Sequence, residues 1–290
     1  MSSDTSTADI INVPTDFAQA YVFDLDGTIY LGDQLLPGAK RMIEELRRRR
    51  IPVRFLSNNP TKDPEQYVEK LAKLGLPTDI EGICNTVVTT TRWLKENHPD
   101  AKLFPVAEEP LKRALRKAGF TLTDDPSEID IVIASYDRTF DYHKLQVAFD
   151  AMWFYKRAFL IQTNPDHFCP FPGGRGEPDC AAVVAAIEAC TQMKSQVNLG
   201  KPSPIMLAEA LQGLDVEVSR CVMVGDRLQT DIQMALDTGM GSACVLTGEA
   251  TPDDIRGLDD AHHPTYVLDR VDQLIPASAW RELGWTEDND

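Results

Sequence analysis

Residues 21–28 read YVFDLDGT, and the fold can be worked out from this short segment. Its first three residues are apolar and strand-favouring, so they predict a buried β-strand. Asp24 and Asp26 come where this strand should end, and Gly27 permits a tight turn after them. Because residues i and i+2 of an extended chain point the same way, we expect both carboxylates to face one point. Such a pair favours a bound Mg²⁺, and an ordinary solvated turn is the alternative.

Strands and helices alternate along the rest of the chain. A predicted helix over 39–49 and a strand over 51–56 follow the first strand, and this order implies parallel neighbouring strands. From about residue 100 the alternation restarts on a smaller scale, which suggests a second α/β unit. We therefore expect an α/β fold with a doubly wound, mostly parallel sheet. Residues 1–99 and 192–290 would form this discontinuous core, and residues 100–191 would form an inserted, smaller α/β domain.

Four segments carry more local predictions. Residues 1–18, which begin with a Ser/Thr-rich stretch, are expected to form a loose tail. Residues 164–179 are rich in Pro and Gly, so they predict a long loop without regular structure. Apolar spacing predicts helices over 144–157 and over 230–238.

The charge and composition of the chain limit its possible partners. The formal net charge of −16 argues against nucleic acid and against anionic membranes as partners. Hydrophobic residues make up 43% of the 290 residues, which is enough for a globular core. No apolar run approaches the roughly 20 residues that a membrane span needs. The amino terminus lacks the features of a secretory signal and the six cysteines show no C-x-x-C pairing, so we expect a cytoplasmic protein.

Polar residues follow four of the predicted strands. Because the carboxyl ends of parallel strands share one edge of a sheet, these residues are expected to converge. The residues concerned are Asp24, Asp26, Ser57, Asn58, Lys201, Asp226 and Asp231. Acids, a lysine and a Ser/Asn pair are the groups that a site for a metal ion and a phosphate requires. The acids would hold Mg²⁺, and the other side chains would contact phosphate oxygens.

Two of the acids are candidates for the chemical steps. Asp24 would be free to attack phosphorus, and Asp26 would move a proton at the leaving oxygen. Three of the other residues have a structural alternative. Lys201 could be an ordinary surface lysine, Ser57 a helix N-cap, and Asp231 a favourable charge in the first turn of a helix.

Four motifs resemble those of a known family. They are, in order, DLDGT (24–28), LSNN (56–59), GKPSP (200–204) and VGDRLQTD (224–231). Together they resemble the four motifs of the haloacid dehalogenase (HAD) superfamily. The long insert and the GKPSP motif are similar to those of subfamily IIA, whose members have a C2-type α/β cap and include NagD-like and p-nitrophenyl phosphatases. The resemblance covers roughly residues 19–275.

The resemblance implies an Mg²⁺-dependent phosphatase that hydrolyses a small organic phosphate monoester, such as a sugar phosphate. Asp24 would be the nucleophile that forms an aspartyl-phosphate, and Asp26 would be the general acid and base. The metal would be bound by Asp24, by the backbone carbonyl of Asp26 and by Asp226, with Asp231 in support. Ser57, Lys201 and Asn58 would hold the phosphoryl group or the substrate.

The resemblance also implies a role for the inserted domain. A cap loop containing His167 would contact the leaving group of a small phosphorylated metabolite, and the alternative for His167 itself is an exposed histidine without a role. Capped members of the family often pair through their caps, so the resemblance also suggests a homodimer. Two competing functions stay open. The first is a phosphomutase or phosphotransferase that uses the same site. The second is a receiver-like signalling protein that accepts a phosphoryl group, although such a protein needs no inserted cap.

Overall fold

The computed structural model describes residues 7–171 and 175–286. These residues form two compact units. The first contains the described residues of 1–56, 68–83 and 210–290, and the second contains those of 57–67 and 84–209. The second unit therefore begins before residue 100 and ends after residue 191. The boundaries of the inserted cap stay a prediction.

The strands are short, and most of them match apolar runs in the sequence. In chain order they are β1 (Ala20–Asp24), β2 (Tyr30–Leu31), β3 (Gln34–Leu35), β4 (Val53–Ser57), β5 (Ile83–Asn85), β6 (Leu103–Val106), β7 (Ile131–Ala134), β8 (Phe159–Gln162), β9 (Phe168–Phe171), β10 (Arg175–Pro178), β11 (Val197–Asn198), β12 (Cys221–Gly225), β13 (Gly241–Val245) and β14 (Tyr266–Leu268).

The helices alternate with these strands. They are α1 (Ala39–Arg48), α2 (Pro64–Lys73), α3 (Thr86–Asn97), α4 (Glu109–Lys117), α5 (Tyr142–Phe149), α6 (Cys180–Thr191), α7 (Pro204–Ala210), α8 (Gln233–Thr238), α9 (Pro252–Arg256) and α10 (Ala277–Leu283). Within the part of the chain that the structure describes, none of the helices is long and apolar enough to span a membrane.

The first unit is built on a six-stranded sheet with the order β14-β13-β12-β1-β4-β5. Strand β1 lies parallel to both of its neighbours, β12 and β4. All residues of β1 and β12 are buried, which explains why both strands read as continuous apolar runs. The strand order runs in opposite directions on the two sides of β1. A ligand site is expected at the carboxyl ends of the strands where the order reverses.

The second unit contains a smaller parallel sheet with the order β11-β8-β7-β6. Its strands β6, β7 and β8 pair in parallel through apolar residues that are mostly buried. The α/β class, the mostly parallel sheet with flanking helices and the additional smaller α/β sheet are confirmed.

The expectation of an irregular loop over 164–179 is wrong for the described part of this segment, and residues 172–174 lie outside it. Strands β9 and β10 form an antiparallel pair there, in which Phe168 lies opposite Pro178 and Phe171 lies opposite Arg175. Proline is normally excluded from central strands because it lacks a ladder donor. Both strands of a two-stranded ribbon are edge strands, so Pro170 and Pro178 are tolerated in them.

The expectation of a loose tail over 1–18 is wrong for its described part. Asn12 forms a β-bridge with Val267, and its side chain donates a hydrogen bond to the Thr265 carbonyl at 2.7 Å. Ile10 and Ile11 pack against a buried apolar cluster of the first unit. The polar residues that precede this apolar pair in the sequence led to the prediction of a loose tail. The first six residues lie outside the described part of the chain.

Two predicted helices contain a wider helical turn. The helix expected over 144–157 is α5 followed by a π-helical turn at Asp150–Phe154. The helix expected over 230–238 starts with a π-helical turn at Leu228–Ile232 and continues as α8. The π-helical turn is rare and occurs frequently at functional sites.

Candidate active site

Three aspartates meet at the carboxyl ends of neighbouring strands in the first unit. Asp24 is the last residue of β1, and Asp226 directly follows β12. Asp231 lies in the π-helical turn Leu228–Ile232, and its own NH group donates to the Arg227 carbonyl at 3.0 Å. The parallel pairing of β1 with β12 therefore brings together residues that are about 200 positions apart in sequence.

These three residues form an acidic cluster. Each offers one carboxylate oxygen, and the three oxygens lie within 4.8 Å of one another. The side chains are almost completely buried, with 8% of Asp24, 3% of Asp226 and none of Asp231 exposed. Burial, together with the charges of Asp24 and Asp231, raises the pKa of Asp226 to about 8. Like charges at this distance are stable only with a proton or a cation between them.

The hydrogen bonds around the cluster leave one oxygen unsatisfied. The backbone NH of Glu249 donates to Asp226 Oδ2 at 2.8 Å, and the NH of Arg227 donates to Asp231 Oδ2 at 3.1 Å. Among the described residues, Asp226 Oδ1 is buried without a hydrogen-bond partner. A buried acceptor without a donor is costly, and a metal ion would satisfy it. Three carboxylates with one unpaired oxygen suit Mg²⁺, which binds oxygen ligands.

Two glycines lie against the Asp226 carboxylate. Gly27 has a positive φ of 86°, and a Cβ built on it would lie 2.5 Å from Asp226 Oδ2. A Cβ on Gly248 would meet the same oxygen even more closely. Gly27 belongs to the segment that the sequence singled out. Gly248 was missed, because only the structure brings its loop against Asp226.

Asp26 differs from Asp24 in its surroundings. Strand β1 ends at Asp24, so the alternation of an extended chain does not carry on to Asp26. The Asp26 side chain is exposed, and among the described residues it is not one of the acids that form the cluster. Its Oδ2 accepts a hydrogen bond from the Tyr30 hydroxyl at 3.4 Å. The roles of Asp26 as general acid and as a carbonyl ligand stay predictions.

The other predicted site residues belong to the second unit, where Asn58 and Lys201 are bonded to each other. The Lys201 NH donates to Asn58 Oδ1 at 2.7 Å, and Asn58 Nδ2 donates to the Lys201 carbonyl at 3.3 Å. The same Nδ2 donates to Asp166 Oδ1 at 3.3 Å. The amide of Asn58 thus holds the backbone of Lys201. The sequence had suggested that this amide contacts phosphate.

Lys201 itself is only 3% exposed, so it is not an ordinary surface lysine. It follows Gly200, where an added Cβ would lie 2.5 Å from the Thr163 carbonyl and 2.7 Å from Asn58 Oδ1. The peptide bond between Lys201 and Pro202 is cis. Close packing and the hydrogen bonds of Asn58 therefore fix the backbone at this lysine.

Ser57 is the last residue of β4 and is 5% exposed. Because it ends a strand seven residues before α2 begins, it is not the N-cap of that helix. Its Oγ lies 2.9 Å from the Tyr67 hydroxyl and accepts a hydrogen bond from the Asn59 NH at 3.2 Å. Tyr67 was missed from the sequence.

His167 precedes the β9–β10 ribbon, and its side chain is exposed. It lines a cavity of about 360 Å³ together with Phe168, Arg175 and Glu177. Within the second unit, the residues that line this cavity are candidates for contacting the organic part of a substrate. A contact between His167 and a substrate stays a prediction.

Comparisons with known proteins agree with the motifs. A family model of haloacid dehalogenase-like hydrolases matches residues 21–121, and a HAD-hydrolase-like model matches residues 198–274. The acid sugar phosphatase of Staphylococcus aureus is 33% identical, over 89% of this chain and 96% of that protein.

Two of the solved structures that resemble this chain are similar to it in both fold and sequence. The 4-nitrophenylphosphatase of Thermotoga maritima has a TM-score of 0.82 and 30% identity, over 89% of this chain and 96% of that one. NagD from E. coli K-12 has a TM-score of 0.78 and 27% identity, over 89% of this chain and 98% of that one.

Proposed function

Because this chain belongs to the haloacid dehalogenase-like hydrolases, and within them to the NagD-like group, we propose that it is an Mg²⁺-dependent phosphatase of small organic phosphate monoesters. The acidic cluster is the observation that carries this proposal. Its three carboxylates are buried within 4.8 Å of one another, and Asp226 Oδ1 has no protein donor among the described residues. A purely structural role would not favour burying three like charges together.

The proposed reaction has two steps. A carboxylate oxygen of Asp24 attacks phosphorus, the bond from phosphorus to the ester oxygen breaks, and Asp26 gives its proton to the leaving oxygen. Asp26 then takes a proton from a water molecule, which attacks the aspartyl-phosphate, releases inorganic phosphate and regenerates Asp24. The two acids therefore have different tasks, Asp24 as the attacking carboxylate and Asp26 as the group that gives and takes the proton.

The remaining residues would bind the metal ion and the phosphoryl group, or position the residues that do. Asp24, Asp226 and Asp231 would hold Mg²⁺, with the Asp26 carbonyl as a further ligand, and the bound ion would neutralise charge on the phosphoryl oxygens. Lys201 would supply a compact positive charge, and Ser57 would donate a hydrogen bond to the transferring group. Asn58 would act by holding Lys201, because its amide bonds the backbone of that lysine.

The proposed substrate is a small phosphorylated metabolite, of which a sugar phosphate is the best-supported class. The support is the name of the Staphylococcus aureus relative, an acid sugar phosphatase. His167 and the cavity beside it would contact the leaving group. Pairing of two copies through the inserted domain stays a prediction.

Phosphate release from p-nitrophenyl phosphate tests this function. We expect Asp24→Asn to abolish release without changing the melting temperature by more than a few degrees, because the amide has almost the same shape as the carboxylate. EDTA should stop the unmodified protein, and added Mg²⁺ should restore it. Asp33→Asn is the matched control, since this carboxylate is exposed in the same unit.

Each outcome decides between functions. Full activity of Asp24→Asn would contradict a covalent route through this residue, and indifference to EDTA would contradict the metal. A phosphotransferase would transfer the group to an added alcohol in preference to water. A receiver-like protein would stay phosphorylated and release little phosphate.

A further inference from the structure

Tyr30 connects Asp26 to the interior of the first unit. Its side chain is completely buried, whereas Asp26 is exposed. The hydroxyl of Tyr30 donates to Asp26 Oδ2 at 3.4 Å. A buried tyrosine hydroxyl normally has a hydrogen-bond partner, and here a carboxylate at the surface supplies one.

The backbone reinforces this link. The Gly27 NH donates to the Tyr30 carbonyl at 2.9 Å, and the Tyr30 NH donates to the Leu25 carbonyl at 3.2 Å. Asp26 and Tyr30 also form an isolated β-bridge. Tyr30 thus contacts the loop on both sides of Asp26 as well as its carboxylate. Since Tyr30 also starts β2 and is buried, the carboxylate is attached to a rigid part of the unit.

A lysine lies over the ring of this tyrosine. The Nζ atom of Lys70, on α2, is 3.6 Å from the centre of the Tyr30 ring. A cation over an aromatic face is attracted by the electron density of the ring. Its positive charge draws electrons from the hydroxyl and makes it a stronger donor to a carboxylate. Lys70 therefore contacts Tyr30, and Tyr30 in turn contacts Asp26.

We propose that Tyr30, supported by Lys70, is a positioning residue that fixes the Asp26 carboxylate for proton transfer to the leaving oxygen. This inference rests on the proposed function, in which Asp26 is the general acid. A carboxylate at an exposed loop position has several rotamers, and only some of them direct a proton towards a substrate. The hydrogen bond from a buried, immobile phenol restricts this choice.

Two matched esters test the proposal. Phenyl phosphate and p-nitrophenyl phosphate have nearly the same shape, but phenolate is a far stronger base than p-nitrophenolate and needs a proton to leave. Tyr30→Phe keeps the ring and removes only the hydroxyl. We expect kcat/KM to fall about tenfold for phenyl phosphate and less than about threefold for p-nitrophenyl phosphate. A merely structural defect would lower both values by the same factor.

Controls separate the hydroxyl from general damage. Tyr21→Phe removes another buried hydroxyl of the same unit, which accepts from the Ala18 NH at 3.0 Å, and should leave the ratio of the two kcat/KM values unchanged. Lys70→Met should change the ratio in the same direction as Tyr30→Phe but less, and Lys73→Met, on the exposed side of α2, should not. If Tyr30→Phe does not fold, Lys70→Met carries the test.

The decisive comparison uses Asp26→Asn. In this background, Tyr30→Phe should cause no further change in the ratio, because the proton donor is already absent. An equal loss on both esters, or a change in the ratio that persists without the Asp26 carboxylate, would overturn the positioning role alone. If the unmodified protein released no phosphate from either ester, the proposed function and this role would both be wrong.

Discussion

Gly27 and Asp226 lie so close together that a Cβ on the glycine would be 2.5 Å from Asp226 Oδ2. Gly27 also has a φ of 86°, a conformation that costs other residues about 1–2 kcal/mol. The loop after β1 therefore depends on this glycine for two separate reasons. One is its backbone conformation, and the other is its contact with a residue of the acidic cluster.

Gly27→Ala separates these two reasons when it is compared with Gly75→Ala. Gly75 has a φ of 83°, and nothing among the described residues lies within 4 Å of an added Cβ. Gly75→Ala should lose about 1–2 kcal/mol in the free energy of unfolding, and Gly27→Ala should lose at least as much, because its methyl group also meets the buried Asp226 carboxylate. Only Gly27→Ala should also lose at least about tenfold in phosphate release, because the methyl group displaces the Asp226 carboxylate. Denaturant unfolding and a phosphate assay measure the two effects. Equal activities of the two variants would contradict the contact as a functional constraint.

The acidic cluster predicts how stability depends on pH. Because burial and neighbouring charges raise the pKa of Asp226 to about 8, the folded state keeps a proton that the unfolded state releases above about pH 4. The unfolded state then binds fewer protons, so metal-free stability should fall as pH rises from about 4 to about 8. Mg²⁺ binds the deprotonated carboxylates, and its stabilising effect should therefore grow over the same range.

Thermal unfolding at pH 5 and pH 8, with EDTA or with Mg²⁺, checks this prediction. At about 100 times its Kd, Mg²⁺ should add about 2.7 kcal/mol at pH 8 and much less at pH 5. Asp226→Asn should remove most of the pH dependence and of the response to Mg²⁺. Asp215→Asn, at an exposed position of the same unit, should keep both. A full Mg²⁺ response in Asp226→Asn would place the metal elsewhere.

The sequence predicted the parts of the fold that depend on continuous apolar runs. Strands β1 and β12 could be found because their residues are buried on both faces, so no polar residue interrupts them. The β9–β10 ribbon was missed because its prolines are typical of loops, and its pairing depends on a partner strand. The ordered segment around Asn12 depends on a contact with Val267, far away in the chain.

In the candidate site, too, some features could be predicted from the sequence and others could not. Asp24, Asp226 and Asp231 could be placed together from the parallel order of the strands alone. The difference between the surroundings of Asp24 and those of Asp26 could not be predicted, because it depends on the residue at which β1 ends. Tyr30 and Tyr67 were missed because hydrogen bonds of a buried hydroxyl leave no pattern in the sequence.

Asn58 gives the prediction that separates positioning from substrate binding. Asn58→Asp removes the donor to the Lys201 carbonyl and places a second carboxylate beside Asp166. We expect the free energy of unfolding to fall by about 1–3 kcal/mol and kcat to fall at least about tenfold, with a smaller change in KM. Asn97→Asp is the control, because this exposed amide also donates to a carbonyl, that of Trp93 at 2.8 Å. It should lose little stability and no activity. If Asn58 bound the substrate directly, the variant would instead raise KM by a larger factor than it lowers kcat.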